Sequence, residues 1–271
     1  MKYETLPGGG QIPRLGLGTW RIGGNTTPDY SQDEQLVRVL RAAIEMGYTH
    51  FDTAEGYGGG HSEELVGRAM QGFRREDLFI TSKVSPEHLR YRDVLRALEG
   101  SLSRLGTDYL DLYLVHWPNA RIRLEETFEA LNELVARGQI RHLGVSNFDL
   151  GLLKKAQQLS QTPLATNQVP YSLFQRRYVQ NGVLAYCQEN SITLTAYTPV
   201  EKGRVANHAV VRQIAQKYKA TPAQVALGWL IRQPMVITIP KSSNLEHLKE
   251  NLEAVALELS DEDAERLEQL A

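Results

Sequence analysis

The sequence is poor in cysteine, with one thiol, Cys187, among 271 residues. An intramolecular disulfide is therefore impossible, and a metal site rich in cysteine ligands is excluded. Cys187 lies in a segment with helical spacing, where we expect a buried structural thiol rather than a reactive one.

Long apolar runs and an excess of charge are also missing. No apolar run approaches the roughly 20 residues that a membrane-spanning helix requires. The opening residues, MKYETLPGGG, lack the apolar centre of a signal peptide. The formal net charge of -2 gives no reason to expect a polyanionic partner. We therefore expect a cytosolic protein that binds neither membranes nor nucleic acid.

Short apolar runs alternate with longer amphipathic segments along the whole chain, a pattern typical of strands followed by helices. The predicted strands are Leu15–Gly18, His50–Asp52, Leu78–Lys83, Leu110–His116, Ile140–Ser146, Ala165–Val169, Thr193–Tyr197 and Val236–Pro240. The predicted helices are Asp33–Met46, one from about Ser62, Tyr91–Leu105, Leu124–Arg137, Gly151–Leu159, Tyr178–Glu189, Ala206–Tyr218, Pro222–Gln233, Leu245–Leu252 and Asp261–Leu270.

This alternation predicts an α/β fold with a parallel sheet and right-handed crossovers. Eight such units in a chain of this length match a closed (β/α)8 TIM barrel, for which ~250 residues is typical. An open doubly wound sheet would carry Gly-x-Gly-x-x-Gly after its first strand, but Gly16–Arg21 lacks the third glycine. We predict a single barrel domain over residues 1–271, with a short N-terminal β-hairpin and an extra C-terminal helix.

Polar residues recur where the predicted strands end, and in TIM barrels the chemistry lies at those ends. The residues are Asp52 with Tyr57 just beyond, Lys83, His116, Ser146 with Asn147, Gln168, Tyr197 and Lys241. Each one alone has an ordinary explanation as a solvated loop residue or a satisfied core residue. Together they would point into one mouth of the barrel, which predicts an active site there.

The sequence resembles the aldo-keto reductases over essentially its whole length. The motifs that carry the resemblance are Gly16–Trp20, Phe51–Ala54 with Tyr57-Gly58, Glu63-Glu64-x-Val66-Gly67, Thr81–Lys83, Leu102 to Pro118, Gly138 to Phe148, Asn167-Gln168 and Ile239–Ser242. The resemblance implies an oxidoreductase that reduces carbonyls to alcohols with NADPH. It implies no resident metal, and because members are often monomeric we expect a monomer.

The resemblance implies that Tyr57 is the proton donor. An unperturbed tyrosine, with a pKa near ~10, is a weak acid at neutral pH, so we expect the Lys83 cation to lower the pKa of Tyr57. Asp52 would hold Lys83 and keep it charged, although its carboxylate opposes that lowering. His116 would donate to the carbonyl oxygen and orient it. An ordinary buried ion-pair cluster is the alternative.

The resemblance also implies the cofactor contacts. Ser146, Asn147 and Gln168 match residues that bind the nicotinamide carboxamide, and Tyr197 matches the aromatic residue that stacks on the ring. The remaining expected contacts are Thr19 and Trp20 after the first strand, Thr198, Pro199, Val200 and Gly203 near the pyrophosphate, Lys241, Ser242 and Ser243 near the 2′-phosphate, and Glu250 and Asn251 near the adenine.

One position departs from the family pattern. Members that prefer NADPH commonly carry an arginine six residues after the lysine, and His247 stands there in this sequence. A guanidinium binds phosphate in a bidentate, permanently charged contact, which an imidazole cannot match. We therefore expect NADPH to remain preferred through Lys241, with weaker discrimination against NADH.

Trp20 and Trp117 are expected to line the substrate pocket, whereas Trp229 falls in a helix and is expected in the core. The short segment after His116, and the end of the sequence soon after the last helix, predict an open site for small aldehydes, dicarbonyls such as methylglyoxal, or keto-sugars. Two other functions stay open. One is a cofactor-sensing channel subunit of the same fold, and the other is a lyase or aldolase that uses Lys83 as a Schiff base.

Overall fold

The computed structural model describes residues 1–270, so Ala271, the last residue of the predicted domain, lies outside the described part. A hairpin precedes a sheet of eight parallel strands within residues 1–270. The hairpin strands are β1 (Tyr3–Thr5) and β2 (Gln11–Pro13), and those of the sheet are β3 (Leu17–Gly18), β4 (His50–Asp52), β5 (Phe79–Val84), β6 (Leu110–Val115), β7 (Ile140–Ser146), β8 (Thr166–Pro170), β9 (Thr193–Tyr197) and β10 (Val236–Thr238).

The sheet closes on itself, which confirms the predicted barrel. Its strands lie side by side in sequence order from β3 to β10, and every pair is parallel. A parallel bridge between Leu15 and Thr238 joins the first edge to the last. The Gly16 amide donates to the Thr238 carbonyl at 2.9 Å, and the Thr238 amide donates to the Arg14 carbonyl at 2.8 Å. All the strand C-termini therefore open at one end of the barrel.

Helices surround the barrel and cover its outer face. They are α1 (Asp33–Met46), α2 (His61–Met70), α3 (Tyr91–Leu105), α4 (Leu124–Ala136), α5 (Leu150–Leu159), α6 (Arg177–Gln180), α7 (Val183–Glu189), α8 (Ala209–Lys217), α9 (Pro222–Ile231), α10 (Leu245–Glu253) and α11 (Asp261–Glu268). The extra C-terminal helix is thus confirmed. None of the helices within residues 1–270 is long and apolar enough to cross a membrane.

The prediction of a single helix over Tyr178–Glu189 is wrong. The chain forms two short helices there, α6 and α7, because Gly182 adopts a left-handed φ of 82° that an α-helix cannot contain. Cys187 lies on α7 and is fully buried, as expected for a structural thiol. Burial raises the pKa of this thiol to about 12, so the reactive thiolate is disfavoured.

The N-terminal hairpin packs against the inside of the barrel. Leu6 and Ile12 are buried in a cluster with Leu112 on β6, Ala165 just before β8 and Ile237 on β10. Glu4 adds an ion pair to Arg14 at 2.6 Å, and its carboxylate also accepts from the Met235 amide. Since Met235 immediately precedes β10, the hairpin covers the end of the barrel opposite the strand C-termini.

Candidate active site

A cavity of about 580 Å³ opens at the C-terminal ends of the barrel strands. Its wall contains most of the polar residues that the sequence placed at strand ends. Those that line it are Asp52, Tyr57, His116, Ser146, Asn147, Gln168, Tyr197 and Lys241. The alternation of strand and helix therefore does bring these side chains to one mouth, and Lys83 lies directly beneath it.

Lys83 is the centre of the site and is fully buried on β5. Its ammonium group donates to Asp52 Oδ1 at 2.6 Å, to the Thr53 carbonyl at 2.7 Å and to Tyr57 Oη at 3.2 Å. An ammonium group has three protons, so all of them are used. Because Tyr57 Oη accepts a hydrogen bond from Lys83, its own hydroxyl proton is left for a group in the cavity.

The turn after β4 sets the direction of Tyr57. Tyr57 begins a short 3-10 turn, and its amide donates to the Ala54 carbonyl at 3.1 Å. Gly58 follows with a left-handed φ of 59°, and a Cβ atom there would lie 2.6 Å from the Gly23 carbonyl oxygen. A side chain at Gly58 would therefore push the turn off the neighbouring loop and move the Tyr57 hydroxyl away from Lys83.

The electrostatics of this cluster differ from the expectation in one respect. Burial raises the pKa of Tyr57, and the charge of Lys83 only partly opposes that effect, so the net shift is upward rather than downward. For Lys83, burial disfavours the ammonium, but its interactions with Asp52 and Tyr57 together outweigh burial and raise the pKa of Lys83. Tyr57 is thus a protonated acid beside a permanently charged ammonium.

His116 follows β6 and its ring lies edge-to-face against Tyr57, with ring centroids 5.6 Å apart. Burial, together with the charge of Lys83, lowers the pKa of His116 to about 3. The imidazole is therefore neutral at physiological pH and carries one N–H donor. A neutral N–H donor beside Tyr57 can orient an oxygen atom in the cavity without itself giving up a proton.

A titration should show this directly. Since the pKa of His116 is depressed, we expect its ring signals to stay unchanged between about pH 5 and 8, where an ordinary histidine titrates. The measurement is the pH dependence of the histidine ring resonances by NMR, with His116→Gln to assign the signal. A midpoint near the ordinary value would contradict the buried, neutral imidazole.

Gln168 links the cluster around Lys83 to the rest of the cavity. It lies on β8, and its side-chain nitrogen donates to Asp52 Oδ2 at 2.7 Å. A carboxylate accepts but does not donate, so this contact fixes which amide atom faces Asp52. Both oxygens of Asp52 are then occupied, one by Lys83 and one by Gln168. The Gln168 amide oxygen remains available to a donor in the cavity.

Ser146, Asn147 and Tyr197 form a second hydrogen-bond network beside Gln168. Asn147 donates to Ser146 Oγ at 2.9 Å and to the His116 carbonyl at 3.1 Å, and it accepts from the Tyr197 hydroxyl at 2.8 Å. Ser146 donates to the Gln168 carbonyl at 2.8 Å. These contacts hold the Tyr197 ring at the cavity wall, where it presents a flat apolar surface.

The β9 and β10 side of the cavity is cationic. Lys202 and Lys241 line it, whereas the lysines of residues 1–270 that form ion pairs are Lys83, Lys155 and Lys217. Partial desolvation of its ammonium group and the charge of Arg21 lower the pKa of Lys241. Two lysines that pair with no carboxylate of residues 1–270 lie at one wall, and they favour an anionic ligand there.

The loop after β9 lies next to these lysines. Thr198, Pro199 and Val200 line the cavity as expected. Thr198 and Lys202 both adopt left-handed φ values, 55° and 53°, which are unusual for residues with side chains. Gly203, also left-handed at 93°, is outside the cavity wall but belongs to the same loop.

Several predicted cofactor contacts lie away from the cavity. Thr19 is fully buried, and its amide and hydroxyl both donate to the Asp52 carbonyl, so it supports β4 rather than facing a ligand. The residues beyond Lys241 lie outside the cavity wall, with Ser242 and Asn251 buried, Ser243 and His247 exposed, and Glu250 half-buried. Ser242 accepts from the Asn244 amide and so shapes the start of α10.

The mouth of the cavity is apolar and open. Trp20 and Trp117 both line it, with 41% and 47% of their surfaces exposed, whereas Trp229 is buried in the core. Asn25 and Thr26 line the same wall and were not predicted. They lie between β3 and α1, and the one signal in the sequence is that this loop follows the C-terminal end of a strand. No group of three or more metal-ligating side chains occurs within residues 1–270.

Comparisons with known proteins agree with this geometry. The family model described as "Aldo/keto reductase family" matches residues 14–271. A methylglyoxal reductase of Escherichia coli (strain K12) is 40% identical over 265 residues, which cover 96% of this chain and 91% of that protein. A glyoxal reductase of Bacillus subtilis (strain 168) is 38% identical over 267 residues, covering 98% and 91%.

Solved structures show the same likeness. A thermostable aldo-keto reductase in complex with the inhibitor epalrestat is 51% identical, with a TM-score of 0.97 and full coverage of both chains. An aldo/keto reductase from Klebsiella pneumoniae in complex with NADP and acetate is 40% identical, with a TM-score of 0.90 and coverage of 99% of this chain and 95% of that one. The chain therefore belongs to the aldo/keto reductase family and is an oxidoreductase.

Proposed function

We propose that this protein reduces small aldehydes, dicarbonyls or keto-sugars to alcohols with NADPH, and that Tyr57 donates the proton. The observation that carries the proposal is the arrangement at the cavity floor. There the Lys83 ammonium donates one hydrogen bond each to Asp52, Thr53 and Tyr57. Because Tyr57 Oη accepts from Lys83, its hydroxyl proton is directed into the cavity.

The residues that line the cavity fit nicotinamide adenine dinucleotide phosphate. The Gln168 amide oxygen is free to accept from a carboxamide, and the Tyr197 ring offers a surface on which a nicotinamide can stack. Lys202 and Lys241, which lack carboxylate partners among residues 1–270, suit the phosphate groups. NADPH supplies the hydride when it is bound.

The protein's own residues orient the carbonyl oxygen and donate the proton to it. His116 donates its neutral N–H to the carbonyl oxygen and holds it near Tyr57. As the carbonyl carbon gains a hydride, its oxygen gains negative charge and takes the proton from the Tyr57 hydroxyl. The tyrosinate left behind lies 3.2 Å from the Lys83 ammonium, which stabilises it until a proton returns from solvent.

Two observations support a small substrate. The cavity of about 580 Å³ must hold the nicotinamide end of the cofactor as well as the carbonyl compound. Its mouth is walled by Trp20 and Trp117, whose exposed rings leave the entrance open. Similar proteins act on methylglyoxal and glyoxal according to their names, and we propose the same substrate class here.

The test is NADPH consumption by the purified protein with a panel of small carbonyls. The panel contains methylglyoxal, glyoxal, simple aldehydes and keto-sugars, with a bulky steroid ketone as the size control. We expect turnover with the small compounds and little with the steroid. Faster reduction of the steroid than of methylglyoxal would contradict the proposed substrate class.

The Schiff-base alternative is disfavoured by the burial of Lys83. A lysine that attacks a carbonyl must be accessible and uncharged, whereas Lys83 has no exposed surface and its ion pair with Asp52 raises its pKa. No observation favours the sensor function over catalysis. The expected monomer and the cytosolic location stay predictions.

We also propose that NADPH is preferred through Lys241, with weak discrimination against NADH. Replacing His247 by arginine should tighten NADPH binding about tenfold, or about 1.4 kcal/mol, because a guanidinium adds a charged contact to phosphate. NADH binding should not change, because it has no 2′-phosphate. The measurement is the dissociation constant of each cofactor by fluorescence quenching.

Lys241→Met is the matched control for this substitution. It should weaken NADPH binding more than NADH binding, since one of the two lysines at the phosphate wall is lost. If His247→Arg changes both cofactors equally, or neither, His247 does not lie at the 2′-phosphate.

A further inference from the structure

His61 lies outside the catalytic cluster, at the first position of α2, four residues after Tyr57. Its side chain is 4% exposed, yet both ring nitrogens have carboxylate partners. Nδ1 lies 2.7 Å from Glu64 Oε2, and Nε2 lies 2.8 Å from Asp33 Oδ1. Asp33 is the first residue of α1, so the imidazole joins two helices.

This geometry requires a protonated ring. A neutral imidazole has one N–H and one lone pair, so one carboxylate would face a lone pair. Only the imidazolium can donate to Glu64 and to Asp33 at once. Burial disfavours the charge, but the hydrogen bonds to Glu64 and Asp33 outweigh it and raise the pKa of His61.

The other charged groups around His61 come from three elements. Arg68 on α2 pairs with Asp33 at 3.4 Å and with Glu34. Asp29 lies in the loop before α1. The pKa of Asp29 is lowered mainly by its hydrogen bonds with Ser31, and the nearby His61 imidazolium contributes less. The Tyr30 ring lies against the imidazole with centroids 4.3 Å apart.

His61 contacts the loop that forms one wall of the active-site cavity. We call residues 19–32 the pocket-wall loop, because Trp20, Asn25 and Thr26 within it line the cavity. A Cβ atom on Gly23 of this loop would come within 2.8 Å of the His61 ring. The loop is also tied to the Tyr57 turn, since the Gly58 amide donates to the Asn25 carbonyl at 2.7 Å.

We infer that His61 is a positioning residue for substrate binding: its imidazolium clamps the pocket-wall loop and the start of α1 onto α2. The clamp holds Trp20, Asn25 and Thr26 at the cavity wall. The inference rests on the proposed function, because the wall matters only if a carbonyl substrate binds there. The catalytic contacts of Lys83 do not involve His61, so the clamp acts on binding rather than on the proton transfer.

The sign of the pH dependence follows from the raised pKa of His61. The clamp is complete at pH values below that pKa and is lost as the pH rises through it. We expect KM for methylglyoxal to increase about fivefold to tenfold as the pH rises through the pKa of His61. This is the size expected for one charge-assisted hydrogen bond. The change in kcat should stay within about twofold.

Three variants separate the clamp from a general structural role. His61→Gln should show the high KM at low pH, with no further break, because an amide does not titrate. Glu64→Gln changes a half-exposed side chain and keeps the histidine, so the break in KM should move to lower pH. His88→Gln, which changes an exposed histidine beside Glu55, should leave the KM profile unchanged.

Hydrogen exchange supplies a readout that needs no turnover. In wild type, protection factors of residues 19–32 should fall as the pH passes the His61 pKa, and in His61→Gln they should be low throughout. If the proposed function is wrong but the clamp exists, the protein will show no turnover, while the protection of residues 19–32 will still depend on pH and on His61. Exchange that is unaffected by pH and by His61→Gln, or an unmoved break in Glu64→Gln, would overturn the clamp.

Discussion

Replacing Tyr57 by phenylalanine should lower kcat for methylglyoxal reduction at least ~100-fold, the range lost with a general acid. Phenylalanine fills the same space and keeps the edge-to-face contact with His116, but it carries no hydroxyl proton. NADPH binding should change less than about twofold, since the Gln168, Lys202 and Lys241 contacts are untouched. Steady-state kinetics and cofactor titration measure the two effects separately.

The matched control is Tyr3→Phe. Tyr3 lies in the hairpin at the other end of the barrel and is 46% exposed, so its hydroxyl has no part in the proposed reaction. The activity of Tyr3→Phe should equal that of wild type. If Tyr57→Phe retained more than about a tenth of the wild-type kcat with its fold intact, another group would have to be the acid.

The second large effect is expected from Lys83→Met, which should impair both stability and activity. Removing the ammonium leaves Asp52 buried and charged with Gln168 as its remaining side-chain partner, which should cost about 3–5 kcal/mol of unfolding free energy. Tyr57 also loses the cation 3.2 Å away that stabilises its deprotonated form, so kcat should fall by roughly 10²–10³. Denaturant unfolding and stopped-flow turnover measure the two losses.

The double variant Asp52→Asn/Lys83→Met distinguishes these two effects. Neutralising both partners removes the unpaired buried charge, so most of the lost stability should return. Activity should stay low, because no cation faces Tyr57. Recovery of activity along with stability would show that Lys83 serves the fold alone and would support the ordinary ion-pair alternative.

The barrel and most of the site could be predicted from the sequence because both follow from local patterns. Short segments between amphipathic stretches predicted β4, β5 and β6, and the polar residues at or near their ends, Asp52, Lys83 and His116, then had to meet at one mouth. The error at Gly182 had a local signal too. Asn181-Gly182 is a turn dipeptide, and it lies between the end of α6 and the start of α7, although the residues on either side have helical spacing.

The features that could not be predicted depend on contacts between distant residues. His61 and Asp33 are 28 positions apart, and no periodicity links the first residues of two different helices. Thr19 matches a cofactor-contact position by motif, but its orientation toward the Asp52 carbonyl is set by the packing of β3 on β4. The direction of the Tyr57 pKa shift required the degree of burial, which the sequence does not state.

The most direct test of hydride transfer by this protein uses NADPH with deuterium in the transferable position of the nicotinamide. After incubation with methylglyoxal, the product is analysed by mass spectrometry and NMR. We predict one deuterium on the new carbinol carbon of the alcohol in wild type, and at most about a hundredth as much labelled product in Tyr57→Phe over the same time. Tight binding of NADPH with no labelled alcohol from any carbonyl of the panel would contradict catalysis and would favour the sensor function.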